Sequence, residues 1–208
     1  MESLKVSVII PYNKDRGWLS EAVESVRLQT YNNYELILMQ SEATVGKNIN
    51  DGIKTSAGDL IRYLCEDDLL TVNSLSSSVK YFSENPDIDF IHSNSYNFIE
   101  DNIEEFRPGT KVPTLQSLLR KNTIHCGTII YRKKCFDKKL FDESLWTAEE
   151  YDLNLWLLKN NYKVGYLNAF TYRYRRHDSQ KSINTKAVDK AYQIKRDSIK
   201  TLIRERYV

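Results

Sequence analysis

The chain has 208 residues, of which 41% are hydrophobic and 28% charged, with only 7 glycines and 4 prolines. This composition is typical of a folded globular domain and excludes collagen-like, low-complexity and disordered chains. No apolar run approaches the roughly 18 residues that a membrane-spanning helix requires, and the first residues do not resemble a secretory leader. Three cysteines without a metal-binding spacing favour a reducing compartment. We therefore expect a single cytoplasmic domain over residues 1–208.

The net charge of +2 is unevenly distributed along the chain. Residues 173–208 carry 11 lysines and arginines against 4 aspartates and glutamates, whereas the preceding residues carry 19 against 24. A basic face of this kind is most often a solvated surface, but it is also suited to phosphate, nucleic acid or an anionic membrane. Because no nucleic-acid-binding motif accompanies it, we expect no nucleic-acid partner. Peripheral contact with a membrane through a basic C-terminal helix stays an alternative to simple solvation.

The first half of the chain alternates between short apolar runs and segments in which apolar residues recur at helical spacing. Strands are predicted at 6–10, 35–39, 60–65 and 88–92, and helices near 18–28, 49–57 and 75–82. Such alternation predicts an α/β fold with a mostly parallel sheet and helices on both faces. Because ligands of such sheets bind beyond the carboxyl ends of the strands, functional residues are expected directly after the strands.

The second half of the chain is less regular. Residues 94–114 are polar, contain Pro108-Gly109 and Pro113, and predict a β-ribbon or a lid. A strand at 128–131, a helix at Glu149–Lys159 and short strands at 164–167 and 171–175 follow. The last segment, 183–208, predicts an amphipathic helix whose remaining faces carry lysine and arginine. No linker indicates a second domain.

Three carboxylates stand side by side in Cys65-Glu66-Asp67-Asp68, directly after the third predicted strand. Because adjacent carboxylates repel one another, a nearby cation would stabilise them, and oxygen ligands suit Mg²⁺ or Mn²⁺. The alternative is a structural role, as the acidic N-cap of a helix that begins near Thr71. The strand-end position favours the metal site, and Pro11-Tyr12-Asn13, after the first strand, is expected at the same edge of the sheet. Neither of the glycine-rich phosphate-loop motifs occurs in the chain.

Short segments at 6–13, 19–37, 50–61, 64–68 and 148–153 are followed by Tyr174-Arg175-Arg176-His177 with Ser179 and Ser182. In this order and spacing they resemble motifs of the family 2 nucleotide-sugar glycosyltransferases, which have the GT-A fold. The resemblance implies a single α/β domain of GT-A (Rossmann-like) type, with a mostly parallel central sheet flanked by helices and a C-terminal helix. It also implies a nucleotide-binding half at 1–93, an acceptor and catalytic half at 94–182, and a basic C-terminal helix at 183–208.

For the donor side, the resemblance implies that Asp67 is the metal-binding carboxylate of a DxD motif and that Glu66 lies near the donor ribose. His177 would complete a site for Mn²⁺ or Mg²⁺. Further donor-binding candidates are Pro11, Tyr12, Asn13, Ser41 and Lys47. Lys47 also has the simpler interpretation of a surface lysine.

For the reaction, the resemblance implies that Glu150 is the general base. It would take a proton from an acceptor hydroxyl as that hydroxyl attacks the anomeric carbon and inverts its configuration. Residues in segments that could face the acceptor are His125, Trp146 and Glu149. Each of these also has a structural interpretation, which for Trp146 is core packing. The expected acceptor is a glycan or a lipid-linked glycan.

The donor is expected to be a nucleoside diphosphate sugar, with a UDP-sugar as the first choice and GDP- or dTDP-sugars as alternatives. GDP- and dTDP-sugars stay alternatives because the segment Gln40-Ser41-Glu42-Ala43 replaces the aspartate with which the family usually reads uracil. The same replacement favours an alternative function. The chain would then be a degenerate module that binds a nucleotide sugar without transferring it.

Overall fold

The computed structural model describes residues 3–99, 102–109, 112–183 and 185–204. The strands within these ranges are β1 (Val6–Tyr12), β2 (Tyr34–Gln40), β3 (Leu60–Tyr63), β4 (Leu69–Leu70), β5 (Phe90–Ile99), β6 (Asn102–Arg107), β7 (Ile130–Arg132) and β8 (Val164–Arg175). The helices are α1 (Leu19–Arg27), α2 (Val45–Thr55), α3 (Ser74–Glu84), α4 (Leu115–Arg120), α5 (Glu149–Lys159) and α6 (Thr185–Arg204). Short 3₁₀ helices occupy Cys126–Thr128, Lys133–Phe136 and Lys181–Ile183. No helix of the described residues is long and apolar enough to cross a membrane.

The strands form one sheet in the order β2-β1-β3-β7-β5-β8-β4, with β6 paired to β5 outside this path. Pairing is parallel between β1 and both of its neighbours and between β5 and β8. The short β7 runs antiparallel to both β3 and β5. The predicted α/β class is confirmed, but the sheet is mixed rather than mostly parallel, because hydrophobic periodicity identifies a strand without giving its direction.

Several predicted elements have different bounds in the structure. The two short strands predicted at 164–167 and 171–175 are one strand, β8, which continues through Asn168, Ala169 and Phe170. The predicted ribbon is present as the antiparallel pair β5 and β6, although residues 100, 101, 110 and 111 of the 94–114 segment lie outside the described residues. The predicted basic helix at 183–208 is α6 over Thr185–Arg204, and residues 184 and 205–208 are likewise outside the description.

The acidic cluster at 66–68 is not the N-cap of a helix. The two residues of β4 follow it, and α3 begins only at Ser74, after Asn73. The side chain of Asn73 makes no capping hydrogen bond. The structural alternative for the cluster is therefore wrong, because a strand separates the carboxylates from the helix.

The core lies on both faces of the sheet. Successive residues of β1 point to opposite faces, so Ile9 packs with α2 and α5 while Val8 and Ile10 pack with α1 and α3. All three of these side chains are fully buried. Burial on both faces explains why β1 has a continuous apolar run instead of an alternating one.

Gly127 and Tyr172 approach each other closely beneath the acidic cluster. A Cβ atom at position 127 would lie 2.0 Å from Cζ of Tyr172, so only glycine fits there. On its other side the Tyr172 ring faces the buried Arg62, whose guanidinium carbon lies 5.6 Å from the ring centroid. Arg62 in turn donates a hydrogen bond of 2.8 Å from Nη2 to the carbonyl oxygen of Gly127. These contacts fix the position of the Tyr172 ring.

We expect Gly127→Ala to destabilise the protein by about 3 kcal/mol, because the added methyl group must displace a buried ring that packing holds on both sides. Chemical denaturation monitored by circular dichroism measures the loss. The matched control is Gly165→Ala, where a Cβ would lie 2.7 Å from Oη of Tyr81, the end of a side chain that can move away. Equal losses in the two variants would contradict the close packing at Gly127.

Candidate active site

A cavity of about 440 Å³ opens where β1 and β3 end and α2 and α5 begin. Sequence-predicted residues that line it are Pro11, Tyr12, Asn13, Glu66, Asp67, Trp146, Glu149 and Glu150. Residues that the sequence did not single out also line it, among them Arg16, Asn48, Gln180, Lys181, Val188 and Tyr192. The carboxyl ends of two parallel neighbours thus meet at one ligand-sized cavity, as expected for this class of sheet.

Asp68 ties the acidic cluster to β8. Its buried carboxylate accepts a hydrogen bond of 2.5 Å from the hydroxyl of Tyr172 and one of 2.8 Å from the backbone N–H of Arg175. Burial raises the pKa of Asp68 well above its usual range, and the charge of Asp67 raises this pKa further. Because both carboxylate oxygens already accept hydrogen bonds, Asp68 holds the loop in place and leaves Asp67 to face the cavity.

Asp67 lines the cavity and has His177 beside it, although His177 is not among the described residues that line the cavity. Oδ2 of Asp67 is 3.0 Å from Nε2 of His177, and Nδ1 of the same ring is 2.9 Å from the hydroxyl of Ser179. Trp18 packs against the His177 ring with its centroid 4.3 Å away, so the ring is held from a third side. The side chain of Ser182 lies outside the described residues. The strand-end carboxylate and the late histidine of the sequence motifs are therefore neighbours in space.

The donor atoms at this point suit a divalent cation. Ligand atoms of Cys65, Asp67 and Asp68 all lie within 4.8 Å of one another, and His177 adds a ring nitrogen beside Asp67. Burial raises the pKa of the Cys65 thiol well above its usual range, which disfavours the thiolate. Carboxylate oxygen and imidazole nitrogen are therefore the available ligands, and both are accepted by Mn²⁺, with Mg²⁺ preferring the oxygens.

Glu66 forms an ion pair with Arg16, which follows the end of β1. Burial raises the pKa of Glu66, and the neighbouring charge of Asp67 raises it further, while Arg16 lowers it. Sequence reasoning missed Arg16, although a cation a few residues beyond the carboxyl end of the first strand was a usable signal. Arg16 places a positive charge in the wall of the cavity beside the acidic cluster.

Asn48 joins the two loops that would hold a nucleobase. Its side-chain amide donates hydrogen bonds of 3.3 Å to the carbonyl oxygens of Tyr12 and Ser41, and its Oδ1 accepts a hydrogen bond from the Ser41 hydroxyl. Ser41 itself does not line the cavity among the described residues but braces a residue that does. Asn48 was missed because a single asparagine within a helix carries no sequence signal.

Lys47 does not line the cavity in the described part of the chain. It lies one turn before Asp51 on α2, and its ammonium group forms an ion pair with that carboxylate. The helical spacing of four residues brings these two charges together on the outside of α2. The prediction of a donor contact by Lys47 is therefore corrected to the alternative interpretation, a surface lysine.

Glu150 lies at the start of α5 with only 6% of its surface exposed. Burial raises the pKa of its carboxyl group, and the charge of the adjacent Glu149 raises it further. Hydrogen bonds from backbone N–H groups of the helix and from Tyr192 act in the opposite direction. The residue before the helix, Ala148, is in the left-handed region with φ of 68°, so the chain turns sharply just before the carboxylates. The outcome is a buried carboxyl group with raised proton affinity in the cavity wall.

Trp146 and Lys181 form one edge of the cavity. The Trp146 side chain is 51% exposed, so it is not core packing. The Lys181 ammonium lies 5.4 Å from its ring centroid and donates a hydrogen bond of 3.0 Å to its backbone carbonyl. An exposed indole at a cavity mouth offers a flat face of the kind on which sugar rings stack.

His125, the third acceptor candidate, does not line the cavity within the described residues. Its ring packs against the rings of Tyr174, at 4.9 Å, and Tyr172, at 5.7 Å. Burial lowers the pKa of His125 to about 3, so the ring is neutral. The expectation of an acceptor contact is therefore corrected, because the ring packs on two tyrosines outside the described lining of the cavity.

Comparison with known proteins agrees with this arrangement. No profile of a known protein family matches the chain. A protein of Methanocaldococcus jannaschii named as an uncharacterized glycosyltransferase is 25% identical over 210 residues, covering 84% of this chain and 72% of the relative. The Escherichia coli UDP-Glc:alpha-D-GlcNAc-diphosphoundecaprenol beta-1,3-glucosyltransferase WfgD is 24% identical, covering 77% of this chain and 72% of the relative.

Solved structures show the same fold. The structure of S. aureus TarS 1–349 in complex with UDP-GlcNAc superposes with a TM-score of 0.69 at 15% identity, covering 87% of this chain and 61% of that chain. Another S. aureus TarS structure gives a TM-score of 0.67, and this chain covers only 37% of it. A Rickettsia felis relative, also named as an uncharacterized glycosyltransferase, is covered to 30% of its length. The chain thus spans a minor part of several proteins that it matches.

The fold, the cavity and the sequence relatives agree on one class of protein. The chain is similar to proteins named glycosyltransferases and has the fold of the TarS structures, in agreement with the class and the fold implied by its motifs.

The buried carboxyl group of Glu150 should make the stability of the protein depend on pH. Because its pKa is higher in the folded than in the unfolded chain, the folded chain binds more protons between these two values. The contribution of this group to stability therefore falls as the pH rises through that interval. Glu150→Gln removes this titration. The Tm of the variant minus the Tm of wild type is therefore expected to increase as the pH is raised from acidic to mildly basic.

Thermal unfolding in buffers without divalent cations, at several pH values, measures this difference. The control is Glu24→Gln on α1, whose side chain is 55% exposed and whose replacement should leave the Tm difference independent of pH. A Glu150→Gln difference that stays constant with pH would show that the carboxyl group is not buried as described.

Proposed function

We propose that the chain transfers a sugar from a nucleoside diphosphate donor to an acceptor hydroxyl, with inversion at the anomeric carbon and with help from a divalent cation. The observation that carries this proposal is the shared cavity. One wall presents Asp67, whose carboxylate contacts His177, and another presents the buried carboxyl group of Glu150. Such a transfer requires a cation site and a base of raised proton affinity. Both are proposed here within one cavity that is large enough for a sugar.

The donor is proposed to be a UDP-sugar. Support comes from the TarS structures, which were solved with UDP and with UDP-GlcNAc, and from the name of the E. coli relative, which includes UDP-Glc. In this chain the uracil ring of the donor would lie between Tyr12 and the loop that Asn48 holds. The donor phosphates would lie toward Arg16 and the acidic cluster. Arg16 and Lys181 provide positive charge for the phosphate oxygens.

Asp67 and His177 are the residues proposed to hold Mn²⁺ or Mg²⁺. Their oxygen and nitrogen atoms fit these ions, whereas Asp68 is occupied by its hydrogen bonds to β8. When bound, such a cation supplies a Lewis acid for the charge on the departing diphosphate. The protein's own contribution is to keep Asp67 facing the cavity and to hold the imidazole of His177 between Ser179 and Trp18.

Glu150 is proposed to accept the proton of the acceptor hydroxyl. Its raised pKa increases the affinity for that proton, and its burial keeps competing water away from the carboxylate. Trp146 would hold the acceptor sugar by stacking, with Glu149 available to accept hydrogen bonds from its hydroxyl groups. Such an acceptor could be a glycan or a lipid-linked glycan, since the exposed edge at Trp146 leaves room for a longer chain.

We expect Asp67→Asn to abolish the part of donor binding that depends on the cation, because the amide oxygen is neutral and attracts a cation only weakly. Thermal shift with UDP-, GDP- and dTDP-sugars, each with and without Mn²⁺, measures this. Asp87→Asn, 84% exposed at the surface, is the control and should respond like wild type. Stabilisation of Asp67→Asn equal to wild type in every Mn²⁺ sample would remove Asp67 from the cation site.

We expect Glu150→Gln to bind the donor as wild type does and to lose about 10²- to 10⁴-fold in turnover, since glutamine cannot accept the proton. Release of UDP from the donor, to water and to candidate acceptors, measures turnover. Glu84→Gln, 61% exposed on α3, should keep full activity. Full activity in Glu150→Gln would disprove the role of the base. Donor binding without any turnover in the unmodified protein would favour the nucleotide-sugar-binding module.

A further inference from the structure

The sequence motif that supplies His177 also contains an arginine side chain to which the proposed reaction gives no part. This residue, Arg175, is the last residue of β8, and only 7% of its surface is exposed. We propose that its guanidinium is a positioning residue for the cation site, which fixes the backbone of Asp67 directly and the ring of His177 through a stacked indole. This inference rests on the proposed function, since it concerns the two residues proposed to hold the cation.

The Arg175 guanidinium joins the loop after β3 to helix α1. Its Nε donates a hydrogen bond of 2.8 Å to the backbone carbonyl oxygen of Asp67. Its Nη2 donates one of 2.7 Å to the Glu21 carboxylate on α1. Because the donors of a guanidinium are held in one rigid plane, the two hydrogen bonds together fix the group and the peptide that it contacts. The main chain of Asp67, which lines the cavity, is therefore held in place.

The same guanidinium packs against an aromatic cluster that ends at His177. Its central carbon lies 4.6 Å from the ring centroid of Phe98 and 5.7 Å from that of Trp18. The Trp18 ring in turn lies against His177, with centroids 4.3 Å apart. Because Nε2 of His177 is 3.0 Å from Oδ2 of Asp67, the cluster leads back to the carboxylate. Arg175 thus contacts one proposed ligand directly and the other through a single ring.

The positive charge of Arg175 makes the direction of its effect testable. An unpaired guanidinium beside a divalent cation would repel it. Here the charge is paired with Glu21 at 2.7 Å, and the hydrogen bond to Asp67 goes to the backbone oxygen, which leaves the carboxylate available to a cation. If repulsion dominated, removal of the side chain would tighten cation binding. If positioning dominates, as proposed, its removal weakens cation binding.

A substitution at position 175 isolates the guanidinium because the backbone contacts of this residue do not need it. The N–H of Arg175 donates to Asp68 at 2.8 Å, and its carbonyl oxygen accepts a hydrogen bond of 3.1 Å from Gln180. Gln180 also accepts a hydrogen bond of 3.3 Å from the backbone N–H of His177. These contacts remain when the side chain is replaced by an unbranched apolar one.

The strand offers a matched control two residues earlier. The guanidinium carbon of Arg173 lies 4.5 Å from the centroid of the same Phe98 ring. Arg173 does not line the cavity within the described residues. Arg173→Met therefore removes a similar cation–π contact from the same ring and leaves the hydrogen bond to Asp67 intact.

The first test is the affinity for Mn²⁺ of Arg175→Met without nucleotide, measured from the electron paramagnetic resonance signal of the free ion. We expect the Kd to rise about tenfold or more, since groups that orient metal ligands typically contribute about 10- to 100-fold to metal affinity. Arg173→Met should bind Mn²⁺ as wild type does. In turnover assays, the Mn²⁺ concentration for half-maximal rate should rise in Arg175→Met, with kcat near wild type at saturating Mn²⁺. Unchanged or tighter Mn²⁺ binding in Arg175→Met would overturn the proposal.

The second test needs neither a cation nor turnover. The chain has 3 histidines, so the ring C–H signals of His177 are assigned in proton–carbon NMR spectra by their loss in His177→Asn. The nearby Trp18 ring shifts these signals through its ring current. Arg175→Met should move them, and Arg173→Met should leave them unchanged. The signals of the buried His92 should stay unchanged in both variants and report an intact fold.

Arg175→Lys provides the conservative comparison and decides the question if Arg175→Met does not fold. Lysine keeps the charge but lacks the planar fork, so it can hold the Asp67 carbonyl or Glu21 but not both in the same geometry. We expect its Kd for Mn²⁺ and its His177 signals to lie between those of wild type and Arg175→Met. A lysine variant with wild-type Kd and wild-type His177 signals would overturn the need for the guanidinium.

The two proposals fail in different ways. If Asp67→Asn binds Mn²⁺ as wild type does, the proposed cation site is wrong, and the role of Arg175 is overturned with it. If Asp67→Asn loses Mn²⁺ binding while Arg175→Met keeps the wild-type Kd, the cation site stands and the positioning role of Arg175 is overturned.

Discussion

The carboxylate of Asp68 lies inside the protein and accepts hydrogen bonds from two groups of β8, the Tyr172 hydroxyl and the Arg175 backbone N–H. An ionisable group in this position is costly unless it is satisfied, so the loop after β3 and the end of β8 must stay together. The positions of Asp67 and His177 follow from this constraint. Asp67 faces outward because its neighbour faces inward, and His177 reaches Asp67 because β8 ends beside it.

The side of the cavity formed by the start of α5 depends on a different kind of constraint. Glu149 and Glu150 begin a helix after a residue in the left-handed region, and the charge of Glu149 raises the pKa of Glu150. Such repulsion is tolerable at the N-terminus of a helix, where the backbone N–H groups favour negative charge. Lys181 reduces the repulsion further, since its charge acts on Glu149. Glu149 is therefore stabilised as a carboxylate by the positive charge of Lys181, whereas the neighbouring Glu150 is opposed by the negative charge of Glu149.

Much of this arrangement could be predicted from the sequence because it depends on strand ends. An apolar run followed by Tyr12 or by the acidic cluster gives both the strand and the edge of the sheet where its ligands lie. Periodicity does not give strand direction, so the antiparallel β7 could not be foreseen. Side-chain partners within a helix were also beyond reach, which is why Lys47 was placed at the donor although Asp51 holds it. His125 was placed at the acceptor for the same reason: a residue beside a short 3₁₀ helix can point either way.

The residues that bear on the cavity are far apart along the chain. Tyr172 follows Asp68 by 104 residues, and His177 follows Asp67 by 110. Because a chain is synthesised from its N-terminus and non-local contacts form late, β1 and β3 exist long before β8 and α6 can close over them. A nascent chain that has exposed the acidic cluster still lacks Tyr172, His177 and Tyr192. The cavity is therefore complete only after β8 and the residues that follow it have been synthesised.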